Sequence, residues 1–209
     1  MSTSQKKPKG YFKHLLCVDF ETSGLHFSSP NAAIDATTGE YYQPVSVGII
    51  VADADTLLPV EELYIEIKWD GKSLWSDGAQ KVHGLSREYL EANGTDMSDA
   101  VVQVASLILK YWGPSNTIHC LGHNIHLFDL QFLDLMMRSE GLIMKWGNRH
   151  VDTHSLGFVT FGTYNSDDLF DAAGLASRDP SKHNALTDAR NALQSARVIR
   201  QIFNAVIGE

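Results

Sequence analysis

Cysteine is scarce in this chain. Only Cys17 and Cys120 occur, each inside an apolar run, HLLCVDF and TIHCLGH. Thiols so flanked sit buried and reduced, so no disulfide is expected and the compartment is read as reducing and cytoplasmic. No Cys-x-x-Cys pair exists, which excludes a cysteine zinc site. Long apolar runs are missing as well, and none approaches the roughly 20 residues that cross a bilayer, so no membrane association is expected. Positive charge is in short supply, with 17 Lys and Arg against 25 Asp and Glu and a net charge of −8. A protein that grips long duplex through many phosphate contacts needs the opposite balance. A local grip through metal ions stays open, because clustered carboxylates holding divalent cations are together near neutral. Internal repeats and low-complexity blocks are absent.

What remains is an ordinary globular composition, 44% apolar and 20% charged, in 209 residues. The polar, lysine-bearing start MSTSQKKPKG has no apolar signal core behind it. It reads as a flexible tail over residues 1–10, followed by a single domain over 11–209. Short β-rich runs at Leu15–Val18, Val45–Ala52, Glu62–Trp69, Thr117–Leu121 and Arg149–Thr153 predict strands. Helical spacing predicts helices over Val101–Trp112, Leu127–Arg138 and Leu186–Phe203. A polar stretch from Gly24 to Gln43 reads as a long loop. This alternation predicts an α/β layered domain with a mixed sheet.

Three acidic features carry the chemistry. Asp19 and Glu21 close the first strand, and residues two apart on a strand share a face. Their Cα atoms are expected roughly 7 Å apart, close enough for both to reach one cation. Asp129 follows Gly122-His123-Asn124, where a strand stops and a helix begins, so its carboxylate meets the favourable end of the helix dipole. His183 and Asp188 are five residues apart, about 140° of helical rotation, and cannot share a helical face. His183 is therefore expected on the loop before the helix, with Asp188 in its first turns. A loop imidazole titrates near neutral pH and suits proton abstraction. Carboxylates without thiolates select hard cations, so Mg²⁺ or Mn²⁺ fits better than zinc. Two such ions about 4 Å apart clamp both oxygens of an in-line phosphoryl displacement.

These segments resemble the motifs of the DEDDh exonucleases, the DnaQ-like group. Asp19-Phe20-Glu21-Thr22-Ser23-Gly24-Leu25 is similar to the first, His123-Asn124 through Asp129 to Phe132-Leu133 to the second, and His183-Asn184-Ala185-Leu186-Thr187-Asp188-Ala189 to the third. Val82-His83-Gly84-Leu85 and Val151-Asp152-Thr153 resemble two secondary signatures, and the likeness runs in order from Leu15 to Ile202. The resemblance implies a ribonuclease-H-like fold, a mixed five-stranded sheet flanked by helices on both faces. It implies a 3′→5′ exonuclease that hydrolyses phosphodiester bonds at the 3′ end of DNA, on single-stranded or frayed ends, and releases nucleoside 5′-monophosphates. Asp19, Glu21, Asp129 and Asp188 would hold two Mg²⁺, with Mn²⁺ able to substitute, and His183 would deprotonate water. Thr22, Ser23, Gly24 and Leu25 would line the terminal nucleotide, bordered by His83 and Asn124.

The Gly24–Gln43 stretch is about ten residues longer than the family pattern, and its Phe27, Tyr41 and Tyr42 are candidates for base stacking. Asp152 is read as a cap for the following helix. Asp134, Asp167, Asp168 and Asp171 are read as solvated surface. His14, His119, His126, His150 and His154 show no ligand spacing, and Trp69, Trp75 and Trp112 are read as packing. Two other classes remain open, an RNA-trimming enzyme like oligoribonuclease and a noncatalytic nucleic-acid-binding module. The size fits a stand-alone enzyme of bacterial or viral origin. No segment names a polymerase or repair partner, and the resemblance leaves a homodimer open.

Overall fold

The computed structural model describes residues 12–24, 40–175 and 183–208. Five strands make one sheet in the order β3-β2-β1-β4-β5. They are β1 His14–Thr22, β2 Pro44–Asp53, β3 Pro59–Glu66, β4 Cys120–Gly122 and β5 Val151–Asp152. β2 runs antiparallel to β1 and β3, whereas β1, β4 and β5 are parallel, so the sheet is mixed as expected. The helices are α1 Asp77–His83, α2 Arg87–Asn93, α3 Met97–Trp112, α4 Asp129–Ser139, α5 Thr153–Phe161, α6 Ser166–Ala172 and α7 Ala185–Ile207. No described helix is long and apolar enough to cross a membrane.

The two-residue alternation of β1 divides the core between two faces. Leu16, Val18 and Phe20 join one cluster with Val104 and Ile108 of α3 and Phe132 and Leu133 of α4. Leu15 and Cys17 join the other with Ala189, Ala192, Leu193 and Ala196 of α7. The odd positions continue into Asp19 and Glu21, which brings both carboxylates onto the α7 face. Small residues let that helix approach closely. A Cβ on Gly48 of β2 would lie 2.2 Å from the Leu186 nitrogen and 2.3 Å from the Ala185 carbonyl carbon, an overlap no side chain tolerates. Gly48 pairs with Asp19 across the sheet. The missing side chain therefore seats the first turn of α7 against the strands that carry the acid pair.

Several expectations need correction. β3 runs earlier than Glu62–Trp69, because a tight turn returns the chain at once after β2. The Asp53 carboxylate accepts the Asp55 and Thr56 N–H groups, and Leu57 takes a left-handed φ of 54°. Past β3, Ile67 still donates to the Val45 carbonyl of β2 and also bridges Thr95. Of the short helices α1, α2, α5 and α6, only α5 was anticipated, as the helix that Asp152 caps. Each opens on a side-chain cap, Ser76, Ser86, Asp152 and Asn165 respectively. α4 begins at Asp129 and not at Leu127. The Tyr42 ring packs beneath Gly24, where a Cβ would come within 2.3 Å of it. Tyr41 is exposed and donates to Asp70, while Phe27 lies outside the described residues. Trp69 and Trp75 meet edge to face at 6.1 Å with the Arg87 guanidinium over both, whereas Trp112 belongs to the core under α3. Cys17 and Cys120 are buried free thiols.

Candidate active site

The sheet delivers its carboxylates where parallel strands end. Ligand sites in open α/β sheets favour the carboxyl ends of strands. β4 pairs with β1 only as far as Cys17, so beyond it that edge of β1 has no strand partner. The Asp129 carboxylate takes the place of a strand there, and its Oδ1 accepts the Phe20 N–H at 2.9 Å. One oxygen thus ties the start of α4 to the strand between Asp19 and Glu21. Asp129 is 2% exposed. Burial pushes its carboxyl well above the ordinary carboxylate range, the Phe20 N–H opposes that push, and the charges of Asp152 and Asp188 reinforce it.

His183 and Asp188 sit as their spacing requires. Asn184 caps α7 by accepting the Thr187 N–H, which places His183 just outside the helix and Asp188 in its first turn. The His183 N–H donates to the Val82 carbonyl at 3.0 Å, docking this loop on α1. His183 Nδ1 stands 3.8 Å from Asp188 Oδ2. That separation is too long for a direct hydrogen bond and short enough for both groups to address one atom between them. Oxygen or nitrogen atoms of Glu21, His183 and Asp188 all lie within 4.8 Å of one another.

Asp19, Glu21, Asp129, His183 and Asp188 line a single cavity of about 590 Å³, together with Thr22, His83 and Asn124. Among the described residues no Lys or Arg lines it. Clustered buried carboxylates are costly without a compensating charge, which a bound cation supplies. Oxygen donors with one imidazole and no thiolate suit hard divalent ions.

The flanking residues are held by backbone bonds. Ser23 is buried, exchanging bonds with Gln43 and accepting the Ser76 N–H through its carbonyl. Thr22 Oγ1 donates to the Gly24 carbonyl at 3.0 Å, and Gly24 has φ 155°. Leu25 lies outside the described residues. His83 ends α1, with Gly84 in the left-handed conformation that stops the helix. Its Nδ1 accepts the Leu85 N–H, which leaves its proton on Nε2 beside the Thr22 backbone. Burial lowers the His83 pKa to about 4, so this imidazole stays neutral. Asn124 adopts a left-handed φ of 57°, turning the chain from β4 towards α4, and its N–H donates to Asp152 Oδ1.

Asp152 does cap α5, accepting the His154 N–H at 2.9 Å, and it also clamps the Asn124 turn. Asp167, Asp168 and Asp171 are exposed as expected, but Asp134 is half-buried and accepts from Trp146 Nε1 and Arg138. Sequence reasoning missed several cavity residues: His154, Phe128, Tyr164, Asn165, Ser166 and Phe170. His154 follows directly on Asp152-Thr153, which was the available signal. The residues on α6 had none, because that helix was not anticipated.

Comparison with known proteins agrees with this geometry. The model of the exonuclease family (RNase_T) matches residues 16–195. The solved structure of E. coli Exonuclease I with a 5cy-dT13 oligonucleotide superposes with a TM-score of 0.69 at 16% identity, covering 90% of this chain. This chain spans only 41% of that protein. The nuclease domain of 3′hExo, a DEDDh family member bound to rAMP, superposes with a TM-score of 0.65 at 12% identity, covering 93% of this chain and 94% of that one. A 3′-exonuclease described with 3′-end-specific recognition of histone mRNA stem-loop gives a TM-score of 0.63 at 14% identity, covering 93% and 83%. No curated protein matches the chain in sequence. With its family model matched from β1 to α7, the chain belongs to the exonuclease family, and it shares its fold with these nucleases.

Proposed function

We propose that the protein is a metal-dependent 3′→5′ exonuclease that removes nucleoside 5′-monophosphates from the 3′ end of a nucleic-acid strand. The observation that carries this reading is the meeting of Glu21, His183 and Asp188 within 4.8 Å, in a cavity shared with Asp19 and Asp129 that no described Lys or Arg lines. The exonuclease family uses divalent metal ions, and the donor set fits two Mg²⁺, with Mn²⁺ as substitute.

Asp19, Glu21, Asp129 and Asp188 hold the cations, which when bound lower the pKa of water and neutralise charge building on the phosphate. His183 accepts the proton of the attacking water, and Asp188 nearby favours the imidazolium that results. Asp129 keeps the acid-bearing strand in place through the Phe20 N–H. Thr22, Ser23, Gly24 and Leu25, with His83 and Asn124, border the terminal nucleotide. The neutral His83 adds a hydrogen-bonding wall without competing for metal charge.

DNA is the favoured polymer, and the match to an Exonuclease I bound to an oligonucleotide of dT supports it. An RNA substrate is the second reading, supported by the similar match to a nuclease domain bound to rAMP. Digestion of 5′-labelled single-stranded DNA and RNA of one sequence, with Mg²⁺, Mn²⁺ or chelator, decides between them. A one-nucleotide ladder from the 3′ end on DNA is expected. A ladder on RNA alone establishes the second reading, and intact polymers under all conditions refute both.

A further inference from the structure

One exposed aromatic group at the cavity is unused by the chemistry above. Tyr164 lines the cavity and is 70% exposed. Its ring leans on Phe158 at 5.2 Å, tilted by 56°, so a partly exposed neighbour on α5 props it from behind. Phe158 is 49% exposed, so the pair forms an exposed apolar margin beside the catalytic cavity. Large exposed aromatic rings are costly to leave wet and mark interaction surfaces.

The two walls of the cavity arise from different parts of the sheet, one from its central strand and the other from an edge. Ala79, Val82 and His83 come from α1, which is tied to the end of β1 by the Ser76 N–H and the Ser23 carbonyl. His154 and Tyr164 come from the segment that follows β5, the far edge strand. The acids of β1 lie between them. If the terminal nucleotide occupies the side of Thr22–Gly24, the strand leaves across the other wall.

We propose that Tyr164, braced by Phe158, stacks on the base immediately 5′ of the scissile phosphate and sets the preference for single-stranded ends. The inference rests on the exonuclease reading. It also accounts for how a chain of net charge −8 with no Lys or Arg in the described cavity wall holds a strand. Stacking requires no positive charge and tolerates any base, because every base presents a π face. It also requires that base to be unpaired from a partner strand and splayed out.

The test compares wild type, Tyr164→Ala and Tyr164→Phe on a single-stranded substrate of whichever polymer the wild type degrades, and on the same strand with an abasic penultimate nucleotide. Tyr164→Ala is expected to lower kcat/KM about ten-fold on the intact strand, as loss of one stacked base does. Tyr164→Phe keeps the ring and stays near wild type. On the abasic strand the gap between Ala and wild type shrinks to within about two-fold. A gap of the same size on both strands overturns the proposal, since Tyr164 would then serve something other than that base. Equal rates for all three proteins on the intact strand also overturn it, while wild-type digestion leaves the exonuclease reading standing. A wild type inert on every strand removes that reading and the stacking site with it.

Discussion

Replacing Gly48 by alanine probes the placement of α7 with a single methyl group. That methyl would sit 2.2 to 2.4 Å from the Leu186 nitrogen and from the Ala185 carbonyl carbon and oxygen, all of them backbone atoms. Ordinary carbon contacts begin near 3.5 Å, so the helix start must retreat by roughly 1 Å. No flexible side chain can absorb the overlap. Overpacking a well-filled site typically costs about 1–3 kcal/mol, and a rigid helix backbone puts this case at the upper end. For a chain of this size about 3 kcal/mol lowers Tm by roughly 6–12 °C. The chemistry should suffer more than the stability. Asp188 lies two residues past Leu186, and a displacement of 1 Å at reacting groups can cost about 10²-fold in rate. Calorimetry together with timed digestion of a labelled strand measures both effects in one preparation. A Gly48→Ala protein that melts and digests like the wild type would mean that α7 does not rest on β2 at this point, and the account of how Asp188 reaches Asp19 would fail.

Other outcomes follow from the same geometry. Asp19→Ala is expected to abolish turnover, and His183→Ala to slow it by about 10²–10⁴-fold, the usual worth of a general base; full speed near neutral pH in the latter would remove the proton-acceptor role. Mg²⁺ should raise Tm and chelator should lower it, and Asp188→Asn should blunt both shifts, as read by differential scanning fluorimetry. Asp129→Asn keeps an oxygen for the Phe20 N–H but removes a buried charge, so it should melt higher than wild type without metal while losing activity. The folded carboxyl of Asp129 titrates above its unfolded value, so its contribution is full below about pH 4 and is lost as pH rises; the advantage of the variant should therefore widen above that pH, and a pH-independent gap would contradict the assignment. Shortening the segment within residues 25–39 should change the ratio of single-strand to duplex digestion, and an unchanged ratio and rate would discard a role for that loop.

The fold class and the positions of the acids were legible in the sequence, and the short elements between them were not. β2 and α7 announced themselves because a run of buried β-branched residues and a long Ala-Leu stripe have unambiguous periods. His183 and Asp188 could be placed from spacing alone, since Asn184 caps the helix between them. Of the short helices only α5 left a sign, the cap at Asp152, and its extent stayed hidden. α5, THSLGFVTF, carries β-branched and aromatic residues with a central glycine and has no amphipathic stripe to find. Its boundaries were nonetheless written in Asp152 and in Gly162, which takes the left-handed conformation at its end. Tyr164 escaped notice because cavity membership depends on how α5 and α6 fold back over the sheet, a tertiary relation with no local signature. The second duty of Asp152, holding the Asn124 turn, was invisible for the same reason.

The order in which the acids occur along the chain has a temporal meaning. A ribosome that has not yet reached His183, or a protease that cuts just ahead of it, leaves a polypeptide with Asp19, Glu21 and Asp129 but neither the His183 imidazole nor the fourth carboxylate. Such a fragment has the means to attract cations and no means to cut. On the proposed reading, hydrolysis begins only when the last helix docks over a glycine, so loosening that helix is the simplest way to disarm the protein.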